Sequence, residues 1–193
     1  MKYRIAYHRE QEKNAPLILV QSFRRGRVPA AMVSLIGGAR QREQGEELLA
    51  WLEALPWNRK KWNPGEFFDI AVPTLERLTK QLRIGETRFA LLFAVEKKVY
   101  LAQNTGNCFL VQRFLGRGTA RHLPEQFAGE METGTCLLLA DPSYTVGREE
   151  EIGQILCFSG SGVGTNPERR LEELSSGHGG GVFFCLQEDE NEA

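Results

Sequence analysis

The chain has 193 residues, of which 41% are hydrophobic and 25% are charged, a composition typical of folded globular proteins. Lysine and arginine total 24 against 25 aspartate and glutamate residues, and this net charge of −1 argues against nucleic-acid binding. No apolar run approaches the roughly 20 residues of a membrane-spanning helix, and the polar residues 8–12 are unlike the apolar core of a signal peptide. We therefore expect a cytoplasmic protein without membrane insertion, with one domain over residues 1–187 and a polar tail over 188–193.

The N-terminal half is predicted to begin with strands and to continue with helices. Short apolar runs rich in β-branched residues predict three strands, over residues 3–7, 16–23 and 30–36. Gly26 supplies a turn between the second and third strands, which predicts a hairpin whose neighbouring arginines lie in solvent. Leucines at helical spacing then predict two helices, over residues 44–55 and 72–82. We expect the tryptophan-containing loop between these helices to pack onto the body of the domain.

A second series of strands is predicted after these helices. Apolar runs separated by short turns predict a meander of three antiparallel strands, over residues 88–95, 99–103 and 108–114. A glycine-rich, basic connection then leads to a buried strand over 136–140. An acidic start and a capped start predict two further helices, over residues 149–156 and 168–174. A glycine turn then precedes a last strand over residues 182–187. Strands with helices inserted in two groups indicate an α+β layered sandwich.

Cysteine, histidine and glycine residues form no recognisable catalytic motif. The four cysteines are scattered and three lie in predicted strands, so we interpret them as buried hydrophobic residues rather than zinc or redox ligands. The three histidines match no metal-ligand spacing. The glycine segments at 37–40 and 159–164 lack the Gly-Lys-Ser/Thr ending of a phosphate-binding loop. For the glycines at 177–181 we expect a flexible turn, with an anion-binding nest of backbone amides as the alternative.

Five segments share one order with the motifs of a known family. They read M-V-S-L-I-G-G at 32–38 with G-E at 45–46, G-E-T at 85–87, V-Y-L-A with T-G-N-C at 99–108, E-T-G with L-L-L-A-D-P-S at 132–143, and G-G-V-F-F at 180–184. In this order they resemble V-A-D-G-M-G-G with G-E, G-T-T, V-G-D-S, E-P-G-D with L-L-L-C-S-D-G, and D-N-I-T-V of the PP2C (PPM-type) metal-dependent serine/threonine protein phosphatases. The resemblance implies an αββα four-layer sandwich, in which two antiparallel β-sheets are flanked by helices.

The departures from that family all concern its metal site. Active members bind two manganese or magnesium ions through aspartates, and a water that bridges the ions attacks phosphorus. The positions that the resemblance implies to be degenerate are Ser34, Leu35, Asn107, Pro142 and Gly180. A one-residue slip would leave Asp141 as a residual ligand, and the family's early N-E-D segment has no clear counterpart beyond Glu10 and Glu12. Two divalent cations need several anionic oxygen ligands. We therefore expect no catalytic residue, no metal site and no cofactor.

Three functions remain open at this point. The first is a catalytically inactive pseudophosphatase that acts as a binding or regulatory module in protein-phosphorylation signalling, with a phosphoprotein or a kinase as its protein partner. The second is a weak or unusual metal-dependent serine/threonine phosphatase that uses one metal held by Asp141 and a glutamate, with metal-free chemistry as its variant. The third is an assembly or scaffold component without a phosphate role. We favour the first because it accounts for all the missing aspartates. Arg9 and Arg40 are the candidate anion contacts, because each lies beside a segment that would border the metal site.

Overall fold

A computed structural model describes residues 1–38, 42–55, 57, 66–81, 87–114, 117–145, 147–157 and 166–187. These residues contain ten strands and four helices, in the order β1 (Lys2–Arg9), β2 (Leu17–Arg25), β3 (Val28–Gly37), α1 (Arg42–Ala54), α2 (Phe67–Gln81), β4 (Arg88–Val95), β5 (Lys98–Gln103), β6 (Cys108–Phe114), β7 (Arg117–His122), β8 (Gln126–Glu130), β9 (Cys136–Ala140), α3 (Glu149–Cys157), α4 (Pro167–Leu174) and β10 (Gly180–Gln187). The predictions for Arg40, for residues 85–86 and 159–164, and for the tail at 188–193 lie outside the described residues.

The strands form two five-stranded sheets. The first sheet has the order β1-β10-β9-β6-β7 and the second has the order β2-β3-β4-β5-β8, with antiparallel pairing throughout the described strands. The predicted hairpin of β2 and β3 is confirmed, because Arg25 pairs with Val28 across a turn in which Gly26 has φ 71°. Glycine reaches that backbone conformation without the steric cost that other residues meet.

Three apolar clusters divide the molecule into four layers. Between the sheets, residues such as Val33 and Leu92 of the second sheet meet Leu137 and Phe184 of the first. The outer face of the first sheet is covered by α3 and α4, through Ile152, Leu156, Leu171 and Leu174. The outer face of the second sheet is covered by α1 and α2, through Leu48, Leu52, Phe67 and Leu75. This helix-sheet-sheet-helix order is the predicted αββα sandwich.

The predicted three-strand meander is wrong for its last strand. β4 pairs with β5, as expected, but β6 lies in the first sheet between β9 and β7. The side chain of Asn104 replaces part of a turn, since its Oδ1 accepts from the N–H of Phe89 at 2.6 Å and its Nδ2 donates to the carbonyl of Thr87 at 3.0 Å. The chain can therefore leave the second sheet after β5 and cross to the first. A short polar connection in the sequence does not distinguish this crossover from a hairpin.

Two strands, one helix and the environment of one arginine also differ from the sequence-based prediction. The sequence predicts a connection where β7 and β8 lie, because neither segment has a continuous apolar run. In the structure both are strands, and both are largely exposed. Helix α2 begins at Phe67, five residues before the predicted start, and continues through the exposed Pro73. Arg25 is also not in solvent: it is 7% exposed and its guanidinium carbon lies 5.8 Å from the centroid of the Phe93 ring.

The remaining predictions on packing and capping hold where the structure describes them. Trp57 is buried and contacts Phe93 at a centroid distance of 5.3 Å, with the ring planes tilted by 42°. Its Nε1 donates to the carbonyl of Leu52 at 2.6 Å. Asn166 caps α4 by accepting from the N–H of Glu168 at 3.0 Å. The four cysteines are buried free thiols. In the described residues, no helix has the length and apolar character needed to cross a membrane.

Candidate functional site

The candidate site lies where the ends of four strands meet at one edge of both sheets. Gly37, the last residue of β3, is the register partner of Arg88, the first residue of β4. Asp141 follows β9 directly, and its N–H donates to the carbonyl of Gly180, the first residue of β10, at 2.9 Å. Asp141 and Gly37 also meet across the sandwich, because a Cβ atom on Gly37 would lie 2.3 Å from Asp141 Oδ2. The fold thus brings together positions that are distant in sequence.

The centre of this edge is an ion pair between Asp141 and Arg88. Arg88 donates from Nη2 to Oδ2 of Asp141 at 3.0 Å and to Oδ1 at 3.3 Å, and from Nε to Oδ2 at 3.2 Å. The Asp141 side chain is 3% exposed, whereas that of Arg88 is 38% exposed. Both carboxylate oxygens therefore face a guanidinium that reaches them from the solvent side, in the geometry that gives arginine and carboxylate pairs their strength.

The segment after β9 supplies further donors to the same carboxylate. Oδ1 of Asp141 accepts from the N–H of Ser143 at 3.1 Å and from its hydroxyl at 2.6 Å. The carbonyl of Asp141 accepts from the N–H of Tyr144 at 2.9 Å, which closes a turn around Pro142. An aspartate that bonds to the backbone two residues ahead is a common way of stabilising such turns. Pro142, the position matched to the family's aspartate, has no side-chain ligand atom and serves this turn.

Asn107 supports that turn from the first sheet. Its buried side-chain amide donates to the carbonyl of Asp141 at 3.3 Å and to Oγ1 of Thr145 at 2.8 Å. A carboxylate at position 107 could accept from the hydroxyl of Thr145, but it would have no hydrogen to donate to the carbonyl of Asp141. The amide therefore suits a structural role that the family's aspartate at this position would not fill in the same way.

Ser34 and Leu35 lie within β3, away from its end. Leu35 belongs to the cluster between the sheets, together with Val33. Because side chains alternate along a strand, Ser34 faces the helix-covered side with Met32 and Ile36. Ser34 is fully buried, and its Oγ has no hydrogen-bond partner in the described structure. The β3 residue that lies beside Asp141 is Gly37, and not either of these two.

Gly180 is enclosed by the chain between β1 and β2. A Cβ atom at this position would lie 3.0 Å from the carbonyl oxygen of His8 and 3.0 Å from Cγ of Pro16. The position that the resemblance matches to a family aspartate therefore has no ligand group, and a side chain there would require its neighbours to move.

Glu10 and Glu12, the two glutamates near the family's early N-E-D segment, are engaged with groups of this chain. Glu12 accepts from the N–H of Gly179 at 2.5 Å and pairs with Nδ1 of His178 at 3.1 Å. These two contacts, the backbone N–H first, lower the pKa of Glu12. The hydroxyl of Ser175, followed by His8 Nε2 at 3.1 Å, lowers the pKa of Glu10 in the same way.

The glycine turn at 177–181 thus receives an anion, but that anion is the carboxylate of Glu12. Arg9 is exposed and lines a small cavity of about 30 Å³ beside the site, together with Lys13 and the glycines at the end of β3. Arg40, the second candidate anion contact, lies outside the described residues.

The donor set that the described residues form at this edge does not fit two divalent cations. Asp141 contributes one carboxylate, and arginine and serine donors already occupy its two oxygens. In the part of the chain that the structure describes, no group of three or more histidine, cysteine, aspartate or glutamate side chains could hold a metal ion. A guanidinium beside the carboxylate adds a positive charge that opposes cation binding. The described residues around Asp141 therefore do not supply the anionic oxygens that two divalent cations require.

Arg88 and Ser143 were not foreseen from the sequence. Arg88 directly follows the segment that resembles G-T-T and is a charged residue at the start of an otherwise apolar strand. That position is the signal that could have identified it. Its separation from Asp141 by 53 residues gives no indication of the pairing, which depends on strand register.

No family model and no curated protein matches this sequence. Solved structures do match, and among them are serine/threonine phosphatases and PP2C domains, three of which follow. The serine/threonine phosphatase of S. agalactiae superposes with a TM-score of 0.67 at 12% identity, over 96% of this chain and 100% of that chain. The catalytic domain of PstP, in complex with two manganese ions, superposes with a TM-score of 0.58 at 14% identity, over 96% and 99%.

The third structure contains the PP2C phosphatase domain and a fragment of the regulatory domain of SpoIIE, a cell fate determinant of Bacillus subtilis. It superposes with a TM-score of 0.63 at 13% identity, over 95% of this chain, which spans 63% of the SpoIIE chain. At these identities the similarity establishes architecture and does not transfer activity. Two antiparallel five-stranded sheets between pairs of helices, aligned over nearly the whole chain with these structures, show that this chain has the fold of the PP2C phosphatases.

Proposed function

We propose that this chain is a PP2C-fold protein without phosphatase turnover, which acts in the cytoplasm as a binding or regulatory module for a protein partner. The observation that carries the proposal is the ion pair of Arg88 with Asp141. In metal-dependent hydrolysis, carboxylates hold the cations that activate water and stabilise the transferred phosphoryl group. Here the carboxylate that resembles a family ligand is neutralised by the chain's own guanidinium.

A metal ion that bound Asp141 would have to displace the groups that already contact its carboxylate. A divalent cation that took Asp141 as a ligand would separate it from Arg88 and would also disrupt the two bonds from Ser143. It would then sit beside a displaced positive charge, and among the described residues the further carboxylates near it, Glu10 and Glu12, are already engaged with other groups of the chain. Magnesium and manganese lose hydration reluctantly and need more negative charge than this. The site therefore favours the apo arrangement.

Hydrolysis assays test the absence of turnover. We expect the wild-type chain, supplied with Mn²⁺ or Mg²⁺ and phosphoserine or phosphothreonine peptides, to hydrolyse no faster than the Asp141→Asn variant. This variant keeps the size of the side chain and removes its charge, so it defines the background. Turnover that requires metal and that Asp141→Asn abolishes would instead support the weak-phosphatase alternative.

A solved structure in which a PP2C domain occurs together with a regulatory domain supports the regulatory role that we propose. The SpoIIE structure joins its phosphatase domain to a regulatory domain, and a phosphoprotein or a kinase is the partner class that we propose for this chain. Arg9 and Lys13 beside the small cavity at the site would provide the contacts to a phosphate group.

Binding assays with matched peptides test this partner class. We expect a phosphothreonine peptide to bind more tightly than its unphosphorylated twin, and Arg9→Ala to reduce that difference. Equal affinities for the two peptides would favour the scaffold alternative, in which the fold has no phosphate role.

A further inference from the structure

A second surface feature lies at the opposite end of the second sheet from Asp141. It is a cleft of about 540 Å³ formed by the β2–β3 turn, the β4–β5 turn and the end of β8. β3 runs from Val28 at this cleft to Gly37 at the candidate site, a distance of about 30 Å at roughly 3.3 Å per residue. The cleft is therefore independent of the site around Asp141, and we refer to it below as the basic cleft.

The lining of the basic cleft carries an excess of positive charge. Four of its side chains are basic, namely Arg24, Arg27, Lys97 and Lys98, and two are acidic, namely Glu96 and Glu130. All six residues are exposed. None of the four basic side chains forms an ion pair with another described residue, although Lys98 and Glu130 are register partners. In a chain of net charge −1, such a local excess makes a field that attracts anionic groups.

Backbone hydrogen bonds hold the basic cleft in a defined shape. The hydroxyl of Tyr3 shares its one hydrogen between the carbonyl of Pro29 at 3.1 Å and that of Glu96 at 2.9 Å, and so connects β1 to both turns. The N–H of Glu96 donates to the carbonyl of Pro29 at 3.1 Å. The N–H of Met131 donates to the carbonyl of Lys97 at 2.8 Å. Glu96 has φ 55°, a left-handed conformation that is uncommon outside glycine and that this bonding sustains. A surface held in this way loses little freedom when it binds.

The basic cleft also has an apolar component. Val28 and Pro29 are partly buried residues in its lining, between the two turns that carry the cations. A single phosphate group would engage only one or two of these cations and would leave the apolar surface uncovered. An extended segment with several carboxylates would reach the cations of both turns and would cover Val28 and Pro29.

We propose that the basic cleft docks a short acidic segment of a partner protein in an extended conformation. The segment would combine several aspartate or glutamate residues with an apolar side chain that contacts Val28 and Pro29. Binding of this kind gains much of its rate and specificity from charge complementarity and weakens as salt rises. The inference does not rest on the absence of turnover at Asp141.

Fluorescence polarisation with a labelled peptide of six glutamates and one central leucine tests the inference. At low salt we expect saturable binding, and the double charge reversal Arg24→Glu with Lys97→Glu should weaken it about tenfold or more, since two attractive contacts become repulsive. The matched control is Arg121→Glu with Arg117→Glu, which makes the same change in net charge on the exposed edge strand β7. This control should change the affinity by less than about twofold.

A gain-of-binding variant separates loss of the cleft from loss of the fold. Glu130→Gln removes an acidic side chain from the lining, so it should strengthen binding of the same peptide, which a misfolded protein would not do. Three results would overturn the proposal: no binding of the peptide, equal weakening by the β7 control, or displacement of the peptide by phosphatidylserine vesicles, which would assign the cleft to a membrane surface.

Discussion

Replacing Arg88 with methionine should destabilise the protein because it leaves a buried carboxylate without its counter-charge. Methionine keeps the apolar stem of the side chain and removes the guanidinium. Asp141 is 3% exposed, and after the change its carboxylate would retain only the two donors of Ser143. The stability of the protein should therefore fall by more than the loss of an exposed side chain would cause.

The size of the effect follows from the exposure of the two partners. Removal of one partner of a fully buried ion pair costs about 3–5 kcal/mol, and a hydrogen bond to a charged group contributes about 1.5–3 kcal/mol. The Arg88 side chain is 38% exposed, so water screens its charge. We therefore expect Arg88→Met to lower the free energy of unfolding by about 2 kcal/mol.

A double-mutant cycle measured by urea denaturation isolates the pair. Asp141→Asn keeps an oxygen for Ser143 and removes the charge, and combining it with Arg88→Met should cost less than the sum of the single changes by about 1–2 kcal/mol. The control is the partly exposed pair of Arg170 and Glu173 on α4, whose carboxylate is 38% exposed against 3% for that of Asp141. The same cycle should give about 0.5 kcal/mol or less for this pair. Additive effects at Arg88 and Asp141 would refute the reasoning that the two groups stabilise each other.

Three further predictions concern other parts of the molecule. Ser34→Asp should destabilise the protein by about 3 kcal/mol or more in urea denaturation without creating Mn²⁺ binding, because it buries an unpaired carboxylate on the helix-covered side of the second sheet. The pKa of Glu12 is lower in the folded protein than its unfolded-state pKa of 4.5, so its contact with Gly179 stabilises the fold above pH 4.5. This stabilisation is lost as the pH falls through the folded-state pKa. The amide NMR signal of Gly179 should therefore titrate with a midpoint below 4.5, and this titration should disappear in Glu12→Gln. Burial raises the pKa of the Cys108 thiol to about 12. We therefore expect the thiols of the native protein to resist Ellman's reagent until urea unfolds the protein. Rapid modification of the native protein would show instead that the strands around Cys108 open.

Local patterns in the sequence were sufficient for much of the fold. Gly26 between two apolar runs predicted the β2–β3 hairpin, and the leucine spacing predicted α1, because each signal lies within one element. β7 and β8 gave no such signal, since exposed edge strands need little apolar sequence. The assignment of β6 to the first sheet depends on pairing with β9, which is formed by residues far along the chain.

The candidate site was predictable only in part. Asp141 stands out in the sequence because a carboxylate directly follows a buried strand and resembles a family motif. Its partner Arg88 could not be identified, because their contact results from the register of β3 with β4 and from the packing of one sheet on the other. The structure likewise places Gly37 beside Asp141, while Ser34 lies on the other face of β3. Such pairings are set by tertiary geometry and leave no periodic trace in the sequence.

Titration of the metal-stripped protein with Mn²⁺ in a calorimeter tests the central claim most directly, since that claim concerns how the Asp141 carboxylate is neutralised. The account predicts no binding heat up to millimolar Mn²⁺, because Arg88 already pairs with the carboxylate and few other anionic ligands lie near it in the described structure. Two-site binding at micromolar affinity would contradict the account and would show that other residues of the chain have replaced the missing aspartates.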